Sequence, residues 1–396
     1  MTVRTVKLGD VIEINPRSNH SLDSDSNVAF LSMADISEDG QILATQTRPL
    51  SEVAKGYTSF QNGDVLLAKI TPCFENGKAA LVHGMFSDVA FGSTEFHVLR
   101  PTEEINGRYL YHLVWNPAFR AAGARRMTGS AGQKRVPTAF LSDFEIALPR
   151  FEEQKRIAAI LDKAESLRRK RQEAIELADA FLHAVFVKIA RQSSERTSIE
   201  SLLADVPNAI RTGPFGSQLL VSEFTESGTA VLGIDNVVTN RFTWNERRYI
   251  SAEKFEQLAR YTVFPGDVMI TIMGTTGRVA IAPKELPRCI STKHLCTMTV
   301  NQEKITPEYL WASLRWDTDV RAQTAREGKG AIMEGWNMGI IKGLKVTRPP
   351  IHVQRKFSQA LTQTRHITDL LMSSKLQGSA LISSLSEIML NEGNPF

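Results

Sequence analysis

The chain has 396 residues and a mass of 44.0 kDa, too long for one ordinary hydrophobic core, so two to three domains are expected. Apolar residues make up 42% and charged residues 23%, which excludes disorder throughout. Lys and Arg exceed Asp and Glu by four, a mild excess that permits a nucleic-acid partner without demonstrating one. Three cysteines cannot frame a disulfide scaffold, and Cys289 and Cys296 lack the paired ligands of a zinc site. Met1–Lys7 has no apolar signal-peptide core, and no apolar run approaches the ~18 residues that span a bilayer. A soluble, reduced, cytoplasmic protein is expected.

In chain order, the first element with a clear signature is a Gly63-Asp64 turn feeding the strand that starts at Val65. Gly77-Lys78-Ala79-Ala80-Leu81-Val82 reads as a second strand with a cation at its start. Ser93-Thr94, then Ile105 with Tyr109-Leu110, lead to Asn116-Pro117, where a capping Asn precedes Pro at the first helical position. Asn116-Pro117-Ala118-Phe119 is also a near-miss to the Asn/Asp-Pro-Pro-Tyr/Phe motif of amino-methyltransferases. Its second proline is missing and no glycine-rich cofactor loop lies upstream, so a helix cap is the better reading. Arg125-Arg126 and Lys134-Arg135 then flank Gly129-Ser130-Ala131-Gly132-Gln133. Cations for phosphates, with Ser, Gln and exposed amides between them, suit duplex DNA, and Gln and Arg can read base edges. A solvated loop explains any single basic pair equally well.

From Phe151 to Ala190 the apolar residues Ile157, Leu161, Ala164, Ile175, Ala178, Leu182, Val185 and Ile189 alternate at spacings of three and four. The run Arg168-Arg169-Lys170-Arg171 interrupts this seam; it is either a solvated face or a positive middle for DNA or an acidic partner.

The same order then returns about 200 residues later. Gly266-Asp267-Val268 repeats the turn, Gly277-Arg278-Val279-Ala280-Ile281-Ala282 the second strand, and Ser291-Thr292 and Ile305 with Tyr309-Leu310 the next two markers. Thr306-Pro307 predicts another capped helix, and Pro349 with Gln354 repeats Pro149 with Gln154. Gln154 and Gln354 are expected to tie domain to helix and not to touch DNA. A second stripe runs through Phe357, Leu361, Ile367, Leu371, Leu381, Leu385 and Ile388. Two apolar stripes of about 40 residues, each roughly 60 Å long as a helix, most simply pack on each other. A pseudo-twofold relation between the copies makes that pair antiparallel.

Catalytic signatures are missing from the sequence: there is no P-loop, Gly-x-Gly-x-x-Gly, His-Glu-x-x-His or Gly-x-Ser-x-Gly. The eight histidines are scattered. At this point the chain resembles the specificity subunit of a type I restriction–modification enzyme, over essentially its whole length. The strings that carry the resemblance are Gly129 through Val136 leading to Leu148-Pro149, Glu153-Gln154-Lys155-Arg156-Ile157, and Thr212-Gly213-Pro214-Phe215-Gly216-Ser217. The second copy departs from the first, with Val353 in the place of Glu153 and Glu327-Gly328-Lys329-Gly330-Ala331 in the place of the Gly-Ser-Ala-Gly-Gln string.

The resemblance implies an α+β protein with two tandem, pseudo-twofold-related target recognition domains, residues 1–149 and 193–349. Each is followed by a long helix, 150–192 and 350–396, and the two helices form an antiparallel coiled coil. It further implies a non-catalytic subunit whose domains each read one half of a bipartite duplex DNA target. The helices would set the half-site spacing and dock two modification subunits, which bind S-adenosylmethionine and methylate adenine; motor/nuclease restriction subunits are optional further partners. This chain itself is expected to need no cofactor and no metal. The residues expected on DNA are Lys78, Arg125, Arg126, Ser130, Gln133, Lys134 and Arg135 in the first domain, and Arg211, Ser217, Gln218, Arg278, Lys329, Trp336 and Asn337 in the second. Ile157, Leu161, Ile175, Leu182, Leu361, Leu371 and Leu385 are expected in the helix seam. Two rivals explain the same duplication: a specificity subunit serving a fused methyltransferase–nuclease partner, and a repeat adaptor that binds no DNA. A stand-alone enzyme comes third.

Overall fold

A computed structural model describes residues 4–17, 23–130, 132–245, 247–327 and 335–389, with side chains as far as 373 apart from that of Glu327. It divides into two compact units, residues 1–171 with the chain from 372 onward, and residues 172–371.

The first unit is built on two four-stranded sheets. One is antiparallel throughout, in the order Ile12–Ile14, Phe96–Pro101, Val65–Ala68, Ala79–Leu81. Val65–Ala68 is buried along its whole length, which is why it carries four apolar residues in a row and no alternation. The second sheet places Asn27–Leu31 parallel to Ala90–Gly92 between two antiparallel edge strands. Helix α1 (Gly107–Trp115) lays Tyr109, Leu110 and Leu113 on the first sheet, and helix α2 (Pro117–Arg126) follows at once. Asn116 caps α2, accepting from the amide of Ala118 at 2.8 Å, with Pro117 in the first turn. The long helix α3 (Phe151–Ala190) starts by adding Ile157, Ala158 and Leu161 to this core. Asp162 on α3 binds Arg108 and His112 of α1, at 2.7 and 2.8 Å.

The second unit repeats this plan. Its antiparallel sheet runs Ile210–Thr212, Leu295–Met298, Val268–Thr271, Val279–Ile281, and its other sheet pairs Thr229–Leu232 parallel to Cys289–Ser291. Helix α4 (Pro307–Trp316), capped by Thr306, and helix α5 (Thr318–Glu327) take the places of α1 and α2. Helix α6 (Ile351–Met389) leaves this unit as α3 leaves the first. Both Gly-Asp turns need a left-handed glycine, Gly63 at φ 95° and Gly266 at φ 84°. In both, the aspartate accepts from the amide three residues back, Gln61 at 2.9 Å and Phe264 at 2.8 Å.

The closest internal likeness lies where each sheet domain meets its long helix. Gln154, buried, donates to the carbonyls of Glu104 and Pro149, both at 2.9 Å, and accepts from the amide of Asn106 at 2.8 Å. Gln354 donates to Lys304 at 3.2 Å and Pro349 at 2.8 Å, and accepts from Thr306 at 2.9 Å. One amide thus satisfies three backbone groups that would otherwise be buried unpaired. Gln354→Leu is expected to cost about 1–3 kcal/mol, the penalty of orphaned buried polar groups, read as a lower denaturant midpoint of the whole chain. An unchanged midpoint would show that water replaces the staple.

In the second unit Leu182, Phe186 and Ile189 near the end of α3 share a core with Phe357 and Leu361 near the start of α6, the Phe186 and Phe357 rings 6.3 Å apart. Within this unit the end of α3 thus meets the start of α6. The expected seam needs adjustment on both helices. Ile157 and Leu161 are core residues of the first sheet domain, and Ile175 and Leu371 are half-buried. Ile367 is 56% exposed, whereas its neighbour Thr368 is buried under the Arg241 guanidinium, which also binds Asp369 at 2.6 Å. The side chain of Leu385 lies outside the described residues.

Candidate nucleic-acid interface

In the first unit Thr128–Arg135 forms a tight hairpin. The amides of Thr128 and Arg135 each donate to the other's carbonyl, at 3.0 and 2.8 Å, and Gln133 donates to Ser130 at 3.0 Å. The turn depends on Gly129 (φ 125°) and Gly132 (φ 82°); a Cβ on Gly129 would sit 2.8 Å from the Gln133 carbonyl. Thr71 donates to Lys134 and Val136 to Lys69, both at 2.9 Å, so the hairpin base is latched to the sheet. His97 lies beneath it: Nε2 is 2.9 Å from the Val136 carbonyl, and Nδ1 is 3.2 Å from Asn15 Nδ2. Burial holds this imidazole below its usual pKa, so it is neutral near pH 7 and donates from Nε2. Sequence reasoning passed over His97 because its partners lie 39 and 82 residues away.

The nominated cations divide into two kinds. Lys134, Arg125 and Arg126 are exposed and make no ion pair with any described residue. Ser130 and Gln133 are exposed beside them. Arg135, by contrast, forms a bidentate pair with Glu95 at 2.7 and 2.9 Å, and that pairing pulls the Glu95 carboxyl below its ordinary pKa. It braces the hairpin more than it offers charge to solvent. Lys78 is half-buried, its ammonium donating to the Met33 carbonyl at 3.0 Å. On α3, Glu165 is buried and takes Arg168 at 2.7 Å and Arg169 at 3.7 Å, so one charge of the four-cation run is internally neutralised.

In the second unit Arg278 is exposed and lines the same pocket as Trp336, whose ring lies over Gly277. Trp336 donates its amide to Ile272 at 2.8 Å, as Val136 does to Lys69, so it occupies the matching place in the second unit. Asn337 caps the short helix that follows, accepting from Ile340 at 2.9 Å. Ser217 and Gln218 are exposed on a short turn, with Gln218 Oε1 accepting from the Tyr261 hydroxyl at 2.8 Å. Lys329 lies outside the described residues.

Arg211 is a correction. It is 5% exposed and its guanidinium is spent inside the domain, on the carbonyls of Thr262 (2.7 Å) and Asn208 (2.9 Å) and on Asp267. A duplex cannot reach it. Its counterpart in the first unit is not a residue of the same strand: Asp64 is held by Arg100 at 2.8 Å, while Thr299 stands in the second unit where Arg100 stands in the first and binds Asp267 at 2.6 Å. The buried aspartate is kept; the arginine that neutralises it has changed strands.

Among the described residues no group of His, Cys, Asp and Glu could hold a metal, and no helix is long and apolar enough to cross a membrane. The Asn116 amide, the methyltransferase-like position, is buried and engaged as a cap.

Residues 2–177, which hold the antiparallel sheet, the glycine-turned, cation-rimmed hairpin and the start of the long helix, match the family described as type I restriction modification DNA specificity domain. The chain is similar to specificity subunits of type I restriction enzymes. It is 44% identical over 150 residues to the EcoAI specificity subunit of Escherichia coli and 40% identical over 161 residues to the EcoEI subunit of the same species. Those matches take in 37% and 40% of this chain but only 25% and 27% of the relatives, so the chain covers about a quarter of their length. A putative type I specificity subunit of Haemophilus influenzae is 24% identical over 86% of both chains. In fold the chain is similar to a type I restriction-modification S subunit from M. genitalium (12% identity, TM-score 0.62, 98% and 96% covered). It is likewise similar to a chain from a type I R-M system (17% identity, TM-score 0.51, 98% of each covered).

Proposed function

We propose that this chain is the non-catalytic specificity subunit of a cytoplasmic type I restriction–modification complex. Each unit reads one half of a bipartite duplex target. The observation that carries this reading is the recurrence in residues 172–371 of the fold that residues 2–177 share with the family, down to the three hydrogen bonds of Gln154 and Gln354. Two copies of one DNA module in one chain call for two half-sites.

In this reading the globular parts are residues 1–149 and 193–349, related by a pseudo-twofold axis, and the helices 150–192 and 350–396 are the spacer between them. The hairpin at Thr128–Arg135 and, in the second unit, Trp336 and Asn337 face the grooves. Lys134, Arg125 and Arg126 contact phosphates, and Ser130 and Gln133 reach towards base edges. Two modification subunits dock on the helices, where Leu177 and Phe181 are 69% and 54% exposed one turn apart on α3. They supply S-adenosylmethionine and the methyl transfer to adenine; a restriction subunit completes the nuclease.

Affinity of the assembled complex for its duplex falls as salt rises, because cations on phosphates release counterions. Replacing Lys134, Arg125 and Arg126 with alanine should flatten the plot of log affinity against log salt by about 0.9 per lost contact. A slope unchanged in the triple variant would place this hairpin away from the phosphates.

A further inference from the structure

The second unit contains a half-enclosed pocket of about 480 Å³ whose lining includes three cations and two indoles. Arg278, Arg315 and Arg321 line it together with Trp316, Trp336 and the turn Thr275–Gly277. Among the described residues only Arg315 of the three guanidiniums has a carboxylate, Asp179 at 2.9 Å; it also lies over the rings of Trp311 and Trp316, 5.2 and 4.8 Å from their centres. Arg321 donates to the Arg315 carbonyl at 2.7 Å, and neither it nor Arg278 is ion-paired with any described residue. Burial lowers the Arg315 pKa most, Asp179 raises it, and the nearby charges of Arg278 and Arg321 lower it by less. Like charges gathered around a half-enclosed pocket repel, and an anion placed between them relieves the cost.

The first unit builds the matching place differently. Arg120, the fourth residue of α2 as Arg321 is of α5, folds over Gly77, where a Cβ would lie 2.9 Å from its Nη1. It donates to the carbonyls of Trp115 at 3.2 Å and Glu75 at 2.7 Å. One arginine there closes the gap on its own backbone. In the second unit two arginines with no carboxylate partner among the described residues border an open one.

We propose that this pocket is a phosphate site, its oxyanion held by the guanidinium forks of Arg278 and Arg321 with Arg315 behind them. Guanidinium donors match phosphate oxygens in pairs, and an indole beside them offers a face for a base. Two sources present this chemistry: a backbone phosphate of the duplex, which rests on the function proposed above, and a free nucleoside phosphate, which does not.

The test uses the full chain. Inorganic phosphate should raise its melting temperature above that in chloride of equal ionic strength, in a saturable way. Arg278→Ala and Arg321→Lys should each weaken half-saturation by about tenfold or more, the loss of a charge-assisted hydrogen bond, while Lys163→Ala on the exposed face of α3 leaves it unchanged. Arg278 is exposed, so its variant keeps the fold, and melting in chloride checks this. A short mixed-sequence duplex that abolishes the phosphate response, and binds more weakly to the Arg278 variant, identifies the backbone as source. ATP binding more tightly than phosphate, with the duplex without effect, identifies a free nucleotide. A phosphate response that persists while the complex with its modification partner binds no duplex upholds the pocket and overturns the DNA reading instead. No phosphate response, or one undiminished in both variants, overturns the pocket.

Discussion

Arg211→Ala should destabilise the second unit by about 3–5 kcal/mol, because it leaves the Asp267 carboxylate buried without its counter-charge. Asp267 is 1% exposed, so solvent cannot take over the role. The first unit shows a second solution to the same problem, and that gives the rescue. Asn15 stands there at the position of Arg211, and Arg100 at that of Thr299. The double change Arg211→Asn with Thr299→Arg rebuilds the first unit's arrangement and should recover most of the loss in urea denaturation of the whole chain. A loss below about 1 kcal/mol for Arg211→Ala, the level of an exposed pair, would mean that the pair is open to water.

The second large effect concerns the long helices. α3 is one continuous helix of 40 residues that begins in the core of one unit and ends in the core of the other. Inserting seven residues after Arg171 and seven after Leu371 keeps the heptad phase of both helices. Each insertion adds ~10 Å, close to three base pairs at ~3.4 Å each. Methylation should then fall on the same two half-sites separated by about three more unread pairs. If the gap stays the same, the helices serve to dock partners and the spacing is set elsewhere.

Much of this fold was legible in the sequence because its signals are local. Asn116-Pro117, Thr306-Pro307 and the two Gly-Asp turns satisfy their own backbone within a few residues, so the string alone determines the geometry. The glutamines were legible through repetition, since a polar residue at the same offset in both copies, at the start of an apolar helix, calls for a buried partner. The site was read less well. Arg211 sits before a glycine-rich turn and so resembles a loop cation, but its partner Asp267 is 56 residues away. Arg135 looks the same as Lys134 in sequence; Glu95, 40 residues off, separates their roles. In the helices the stripe misplaced Ile367 because a polar contact, Arg241 on Thr368, takes the buried position that hydrophobicity alone would give to an apolar side chain. Glu165 is buried for the same kind of reason, as the counter-charge to Arg168.

The most direct test of the account is to exchange residues 193–349 for the corresponding domain of another type I specificity subunit and map methylation in cells that express the chimera with its modification partner. Two autonomous reading units, each with its own core and its own glutamine staple, predict that one half of the methylated sequence changes completely while the other half and the gap stay as they were. A folded chimera that loses both half-specificities, or that keeps both, would contradict it.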